Sequence, residues 1–195
     1  MRFKMQVLKQ HICNSGRVIG KDILKVDSFL NHQIDVGLFQ EIGKEFKNRF
    51  AKEKVTKILT IEASGIGIAC ITAQYFNNAP VVFAKKFTAK NLNSSVYESK
   101  VYSFTKDILY SIRVDKNYLD SGDNVLIVDD FLANGNAVLG LLDIARQAGA
   151  QIVGVAIVIE KSFQGGRETV LSQNVRLESL ARIKSLDKGK ITFVD

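Results

Sequence analysis

Residues 125–137, VLIVDDFLANGNA, carry the side chains of this chain best suited to do chemistry. An apolar run ends in two adjacent acids, Asp129 and Asp130, and a loop of small and polar residues follows. Ionised carboxylates only accept hydrogen bonds, so such a pair can hold sugar hydroxyls or a metal ion. The loop, Ala133, Asn134, Gly135, Asn136 and Ala137, leads into a helix-like stretch. Backbone N–H groups at a helix N-terminus favour an anion, and glycine lets the backbone approach it closely. One segment would thus hold a sugar on its acids and a phosphate on its loop. The same spacing also suits a strand that ends in a helix cap and a metal site, as in receiver-like or phosphatase-like domains. No GxxxxGK[ST] and no GxGxxG occurs in the chain. Triphosphate and dinucleotide cradles built on those motifs are therefore excluded.

Further candidate residues stand at the ends of apolar runs elsewhere. Ala63 ends KILTIEA and Ser64 and Gly65 follow it, Lys85 and Lys86 close VVFAKK, and Lys161 follows the run 151–160. Cys13 and Cys70 are far apart and form no metal or redox motif. Cys70 stands among small residues, where a buried thiol acting as a small hydrophobe is expected.

Periodicity supplies the elements that position these residues. A short helix is expected over 4–13, then a polar hairpin-like region ending in ILKVDSFLNHQ at 23–33. Asp35 reads as the N-cap of a helix that carries Phe39, Ile42, Phe46 and Phe50 on one face. The chain then alternates: strand 57–63, turn Ser64-Gly65, helix 66–76, strand 81–85, strand 124–130, helix 137–148 and strand 151–160. Such alternation predicts an α/β fold with a mainly parallel central sheet flanked by helices. Ligands of these sheets bind outside the carboxyl ends of the strands. The stretch 87–106, FTAKNLNSSVYESKVYSFTK, breaks the pattern. Its length and polarity suggest a flexible lid beside a strand end, closing with a strand-like VYSF.

IVDDFLANGNA resembles the phosphoribosyl-pyrophosphate signature of the type I phosphoribosyltransferases. ILKVDSFLNHQ, EASGI, VYSFTK, DDFLANG, VIEKSF and ESLARI, in that order, together resemble the xanthine-using bacterial members of that family. Most members carry Thr or Ser hydroxyls in the phosphate loop. ANGNA must instead rely on backbone N–H groups and Asn side chains, a variant similar to that of the xanthine-using branch.

The resemblance implies a single domain over 1–195, with a small hood formed from about 1–34 and the C-terminal segment. It implies a purine-salvage reaction in which xanthine and 5-phosphoribosyl 1-pyrophosphate give xanthosine 5'-monophosphate and pyrophosphate. Asp129 and Asp130 would act at the ribose and residues 133–137 would hold the 5-phosphate. Pyrophosphate would rest on Ser64 and Gly65, with charge added by Lys85 or Lys86. Leu24, Asn31 and Lys161 would receive the base. Phe131 or Phe163 would stack on it or serve as packing, His32 is a weaker choice of base, and Tyr102 is a lid contact. Magnesium would arrive with the pyrophosphate substrate, in no site held by the protein alone. The implied assembly is a homodimer. A guanine or hypoxanthine enzyme is the alternative within the family. A regulator built on the same fold is a further alternative, but only about thirty residues precede LNHQ, too few for a winged helix.

At 195 residues, 46% hydrophobic and 24% charged, the chain is long enough for one substantial core. No apolar run approaches the ~20 residues of a membrane span. The N-terminal stretch lacks a signal-peptide core, so a cytoplasmic enzyme is expected. The net charge of +7 fits an anionic partner. Its basic residues are spread along the chain, which favours phosphorylated small molecules over nucleic acid.

Overall fold

The computed structural model describes residues 5–87, 95–103, 108–187 and 189–194. Helix α1 (Gln6–Ser15) precedes a hairpin of β1 (Arg17–Ile19) and β2 (Ile23–Lys25), and a π turn at Asp27–Asn31 leads on to α2 (Val36–Arg49). Asp35 caps α2 as expected, its carboxylate accepting from the Leu38 N–H at 3.0 Å. Phe39, Ile42, Phe46 and Phe50 are all fully buried. Each contributes roughly 1.5–3 kcal/mol of transfer free energy.

The α/β alternation follows with β3 (Lys57–Ile61), α3 (Ser64–Tyr75), β4 (Val81–Phe87), β5 (Val96–Ser103) and β6 (Ile108–Asp115). Then come β7 (Asn124–Leu132), α4 (Asn136–Gln147), β8 (Gln151–Lys161), a short α5 (Gly166–Leu171), β9 (Leu177–Asp187) and β10 (Lys190–Phe193). The main sheet has the order β10-β9-β8-β7-β3-β4-β6-β5. Strands β9, β8, β7, β3 and β4 run parallel, with antiparallel strands added at both ends. Alternate residues of β7 feed opposite layers. Leu126 and Val128 pack with α2 and α3, and Val125 and Ile127 with α4. The N-terminal segment from α1 to the π turn joins the first of these cores through Leu8, Ile12, Leu24, Phe29 and Leu30, and α1 packs against β9. Among the described residues no helix is long and apolar enough to cross a membrane.

Three expectations are corrected. Residues 96–103 are a regular strand, paired with β6 along their full length, so that part of the expected lid belongs to the sheet. The remainder of the stretch, at 88–94 and 104–106, lies outside the described residues. Ser64-Gly65 is the first turn of α3, which therefore starts two residues before the expected Ile66. Cys70 is exposed. The buried stripe of α3 is Gly65, Ile68, Ala69, Thr72 and Ala73, and the helical rotation carries position 70 off that stripe.

Candidate active site

Strand β7 delivers Asp129 and Asp130 to the carboxyl edge of the sheet, and both side chains are buried there. Asp129 accepts the Asp130 N–H at 2.9 Å, and Asp130 accepts the Phe131 N–H at 2.9 Å. These bonds aim the acids while leaving lone pairs for a ligand. Burial raises the pKa of Asp129 well above the carboxylate range, and the charge of Asp130 raises it further. Lys86 opposes that rise. Two close acids in a dry site resist double ionisation. A cationic ligand would relieve both causes together.

Beyond the acids the chain turns through Ala133 and Asn134 to Gly135, whose φ of 91° starts α4 in the left-handed region. Only glycine takes that conformation without strain. A cavity of about 190 Å³ opens over this loop, lined by residues 131–138 and closed from the other side by Val101, Tyr102 and Tyr110. Asn136 Nδ2 donates to the Tyr102 carbonyl at 2.9 Å, joining the loop to β5. The structure thus brings all five loop positions to one cavity just beyond the acids, and adds Tyr102 to it. Tyr110 was missed by sequence reasoning. Burial raises its pKa, and the charge of Asp129 raises it further.

The turn after β3 approaches the same acids. A Cβ placed on Gly65 would collide with Thr60 Oγ1 and come within 3.2 Å of Asp129 Oδ1. Glycine is thus required where α3 begins beside the acid pair. N–H groups in a first helical turn lack intrahelical partners and are free to meet an anion. The two lysines of β4 part company here. Lys86 donates its N–H to Glu62 Oε1 and sets its ammonium 5.7 Å from the Tyr110 ring, on the side of the acids. Lys85 is not brought to them. It lines a separate groove of about 670 Å³ with Phe83, Phe87, Arg113 and Tyr118. Successive strand residues face opposite ways, which explains the split.

In the N-terminal segment, Leu24, Asn31 and His32 line one cavity of about 430 Å³ together with Lys25 and Asp27. Lys161, at the end of β8, reaches back to this segment and donates to the Asp22 carbonyl at 2.7 Å. Its ammonium lies 5.7 Å from the Phe131 ring. Burial lowers the Lys161 pKa. Phe163 is exposed and Phe131 is half-buried under Lys161.

Sequence reasoning also missed the support beneath the loop. Gly166 has no room for a side chain, because a Cβ there would collide with the Ala133 carbonyl oxygen and lie 3.0 Å from the Gly135 nitrogen. The segment that follows Lys161 therefore rests directly on the backbone of the 133–137 loop. The Gly165-Gly166 pair was the available signal.

The sequence profile of the phosphoribosyl transferase domain matches residues 26–177. A protein of Clostridioides difficile named xanthine phosphoribosyltransferase is 61% identical over 189 residues, which is 97% of this chain and 100% of that protein. One of Clostridium tetani with the same name is 59% identical, again over 97% of this chain and 100% of its own length. Adenine phosphoribosyltransferase from Rhodothermus marinus superposes with a TM-score of 0.73 at 22% identity, covering 92% of this chain and 98% of that one. The Giardia lamblia enzyme complexed with 9-deazaadenine gives 0.70 at 24%, covering 82% and 86%. At such identities the solved structures speak for the fold alone. Profile and relatives together show that the chain belongs to the phosphoribosyltransferase family, in its type I fold.

Proposed function

We propose that this protein transfers the 5-phosphoribosyl group of phosphoribosyl pyrophosphate to xanthine, yielding xanthosine 5'-monophosphate and pyrophosphate. The observation that carries this reading is the shared sheet edge. There the acid pair, the Gly135 loop and Lys161 stand together in a chain related to xanthine phosphoribosyltransferases over nearly its full length.

In the reaction the C1–O bond to pyrophosphate breaks and a bond from a base nitrogen to C1 forms, through an oxocarbenium-like state. Asp129 and Asp130 hold the ribose hydroxyls and supply negative charge beside the cationic ring. The N–H groups of residues 133–137 fix the 5-phosphate, while Ser64 and Gly65, with Lys86 nearby, receive the pyrophosphate. Placement of charge in a preorganised site carries the acceleration. Leu24, Asn31 and Lys161 form the base subsite. An ammonium is a donor only, and xanthine has a carbonyl where guanine has an amine, so Lys161 favours xanthine.

The acids also fit magnesium. Among the described residues no three His, Cys, Asp or Glu side chains cluster to make a cage for it. Asp129 and Asp130 would help to hold a magnesium ion that arrives with the pyrophosphate substrate, and the ion would supply charge neutralisation to the departing pyrophosphate. A homodimer is the proposed assembly. The apolar groove that holds Phe83, Phe87 and Tyr118 offers it a surface, and sedimentation measurements test it.

The deciding experiment supplies magnesium, phosphoribosyl pyrophosphate and each purine in turn, and compares kcat/KM. Xanthine should be preferred. A clear preference for guanine or hypoxanthine would overturn the base assignment, and no nucleotide product with any purine would overturn the reaction.

A further inference from the structure

Glu160 is fully buried, yet it is the only carboxylate of β8 and stands one residue before Lys161. Its oxygens collect donors from three elements. Arg167 of α5 grips both of them through Nε at 3.0 and 3.1 Å and places Nη2 2.9 Å from Oε2. Ser162 Oγ donates at 2.5 Å from the turn that follows β8. From β9, Ser179 Oγ donates at 2.6 Å, and Arg182, directly across the ladder, donates at 3.0 Å. Burial alone would raise the Glu160 pKa, but the hydrogen bonds from Arg167, Ser162, Ser179 and Arg182 outweigh it and bring the value to about 2. The group stays ionised at any working pH.

Such a cluster is poorly explained by stability. Replacing a buried ion pair with packed apolar groups is often neutral or stabilising. A charged, bidentate clamp does fix one geometry. The chain it fixes is the arch 161–167. This arch leaves the ladder after Lys161, passes through the 3-10 turn Ser162–Gln164 and the left-handed Gly165 at φ 74°, and returns at Arg167. One end of the arch carries Lys161 to the N-terminal segment. The other end presses Gly166 against the backbone of Ala133 and Gly135. On its second side Glu160 lies across from Leu132, the residue just before the phosphate loop.

We propose that Glu160 is a positioning residue that sets the spacing between the base subsite at Lys161 and the 5-phosphate loop, by clamping the arch that touches both. The inference rests on the reaction proposed above. It concerns the register of the two subsites, because a nucleotide must occupy both at once.

The test compares Glu160→Gln with the wild-type protein, using two ligands. Xanthosine 5'-monophosphate spans both subsites, whereas ribose 5-phosphate uses only the acids and the loop. The variant should bind the nucleotide about tenfold or more weakly while its affinity for ribose 5-phosphate changes by less than about threefold. KM for xanthine should rise more than KM for phosphoribosyl pyrophosphate. Equal losses for both ligands, or no loss for either, would overturn the proposal, since a merely structural role moves both together. Should Glu160→Gln fail to fold, Arg167→Gln releases the arch while leaving Ser179 and Arg182 on Glu160, and the same split is expected. Wild-type protein that does not use xanthine would overturn the reaction itself and the proposal with it, an outcome distinct from an unaffected variant.

Discussion

Asp129 is buried beside a second carboxylate, and burial first, then the charge of Asp130, raises its affinity for a proton. The folded chain therefore holds that proton more tightly than the unfolded chain does. The stability this gives is complete below the unfolded carboxylate pKa and is lost as pH rises through the folded value. Near neutral pH the residue costs stability, and its function is the reason for tolerating the cost. Asparagine mimics the protonated acid and keeps an oxygen for the Asp130 N–H. Asp129→Asn should therefore raise Tm by about 2–4 °C near pH 7, the shift that about 1 kcal/mol gives a chain of this size. The gain should shrink towards pH 4. The same change should lower kcat at least about a hundredfold, as removal of one preorganised electrostatic group does. Thermal melts across pH and steady-state rates read the two effects separately. A variant less stable than wild type, or one that keeps its activity, would sink this account of the acid pair.

At the scale of elements, β7, its loop and α4 act as one unit whose join is Gly135. A non-glycine residue in the left-handed region costs about 1–2 kcal/mol. A Cβ there would also meet the Gly166 carbonyl and Thr169 Cγ2 at 3.3 Å. Gly135→Ala should raise KM for phosphoribosyl pyrophosphate about tenfold. KM for xanthine should rise less, because this Cβ reaches the base subsite only through the arch at Gly166. Initial rates with each substrate varied in turn provide the check, and an unchanged KM for the sugar phosphate would remove the loop from phosphate binding. This unit was legible in the sequence because its signals are local: an apolar strand, two acids, a glycine and an amphipathic helix. Strand β9 was not, and of β5 only the end was, as the strand-like VYSF. In β5 the inward positions are Tyr97, Ser99 and Val101, and their burial comes from α4, far along the chain. In β9, Glu178 and Arg182 read as surface charge until Arg49 and Glu160 are seen beside them. The choice between Lys85 and Lys86 likewise needed the pairing of β4 with β6, which no local pattern encodes.

Over the whole molecule the formal charge is +7, while the site itself is built around buried acids. These facts agree once the substrates are considered. A polyanionic sugar phosphate is drawn by the long-range field, and the acids act only at short range on the ribose. Steering of this kind weakens as salt shortens the Debye length from about 30 Å at 0.01 M to about 8 Å at 0.15 M. Raising ionic strength over that range at fixed magnesium should therefore lower kcat/KM for phosphoribosyl pyrophosphate several-fold. The value for xanthine, which lacks phosphate charge, should fall much less when the sugar phosphate is saturating. Equal salt dependence for both substrates would place the effect in the folded chain or its assembly. A flat response for phosphoribosyl pyrophosphate would mean that the positive charge, spread over the surface as the sequence has it, serves something other than substrate capture.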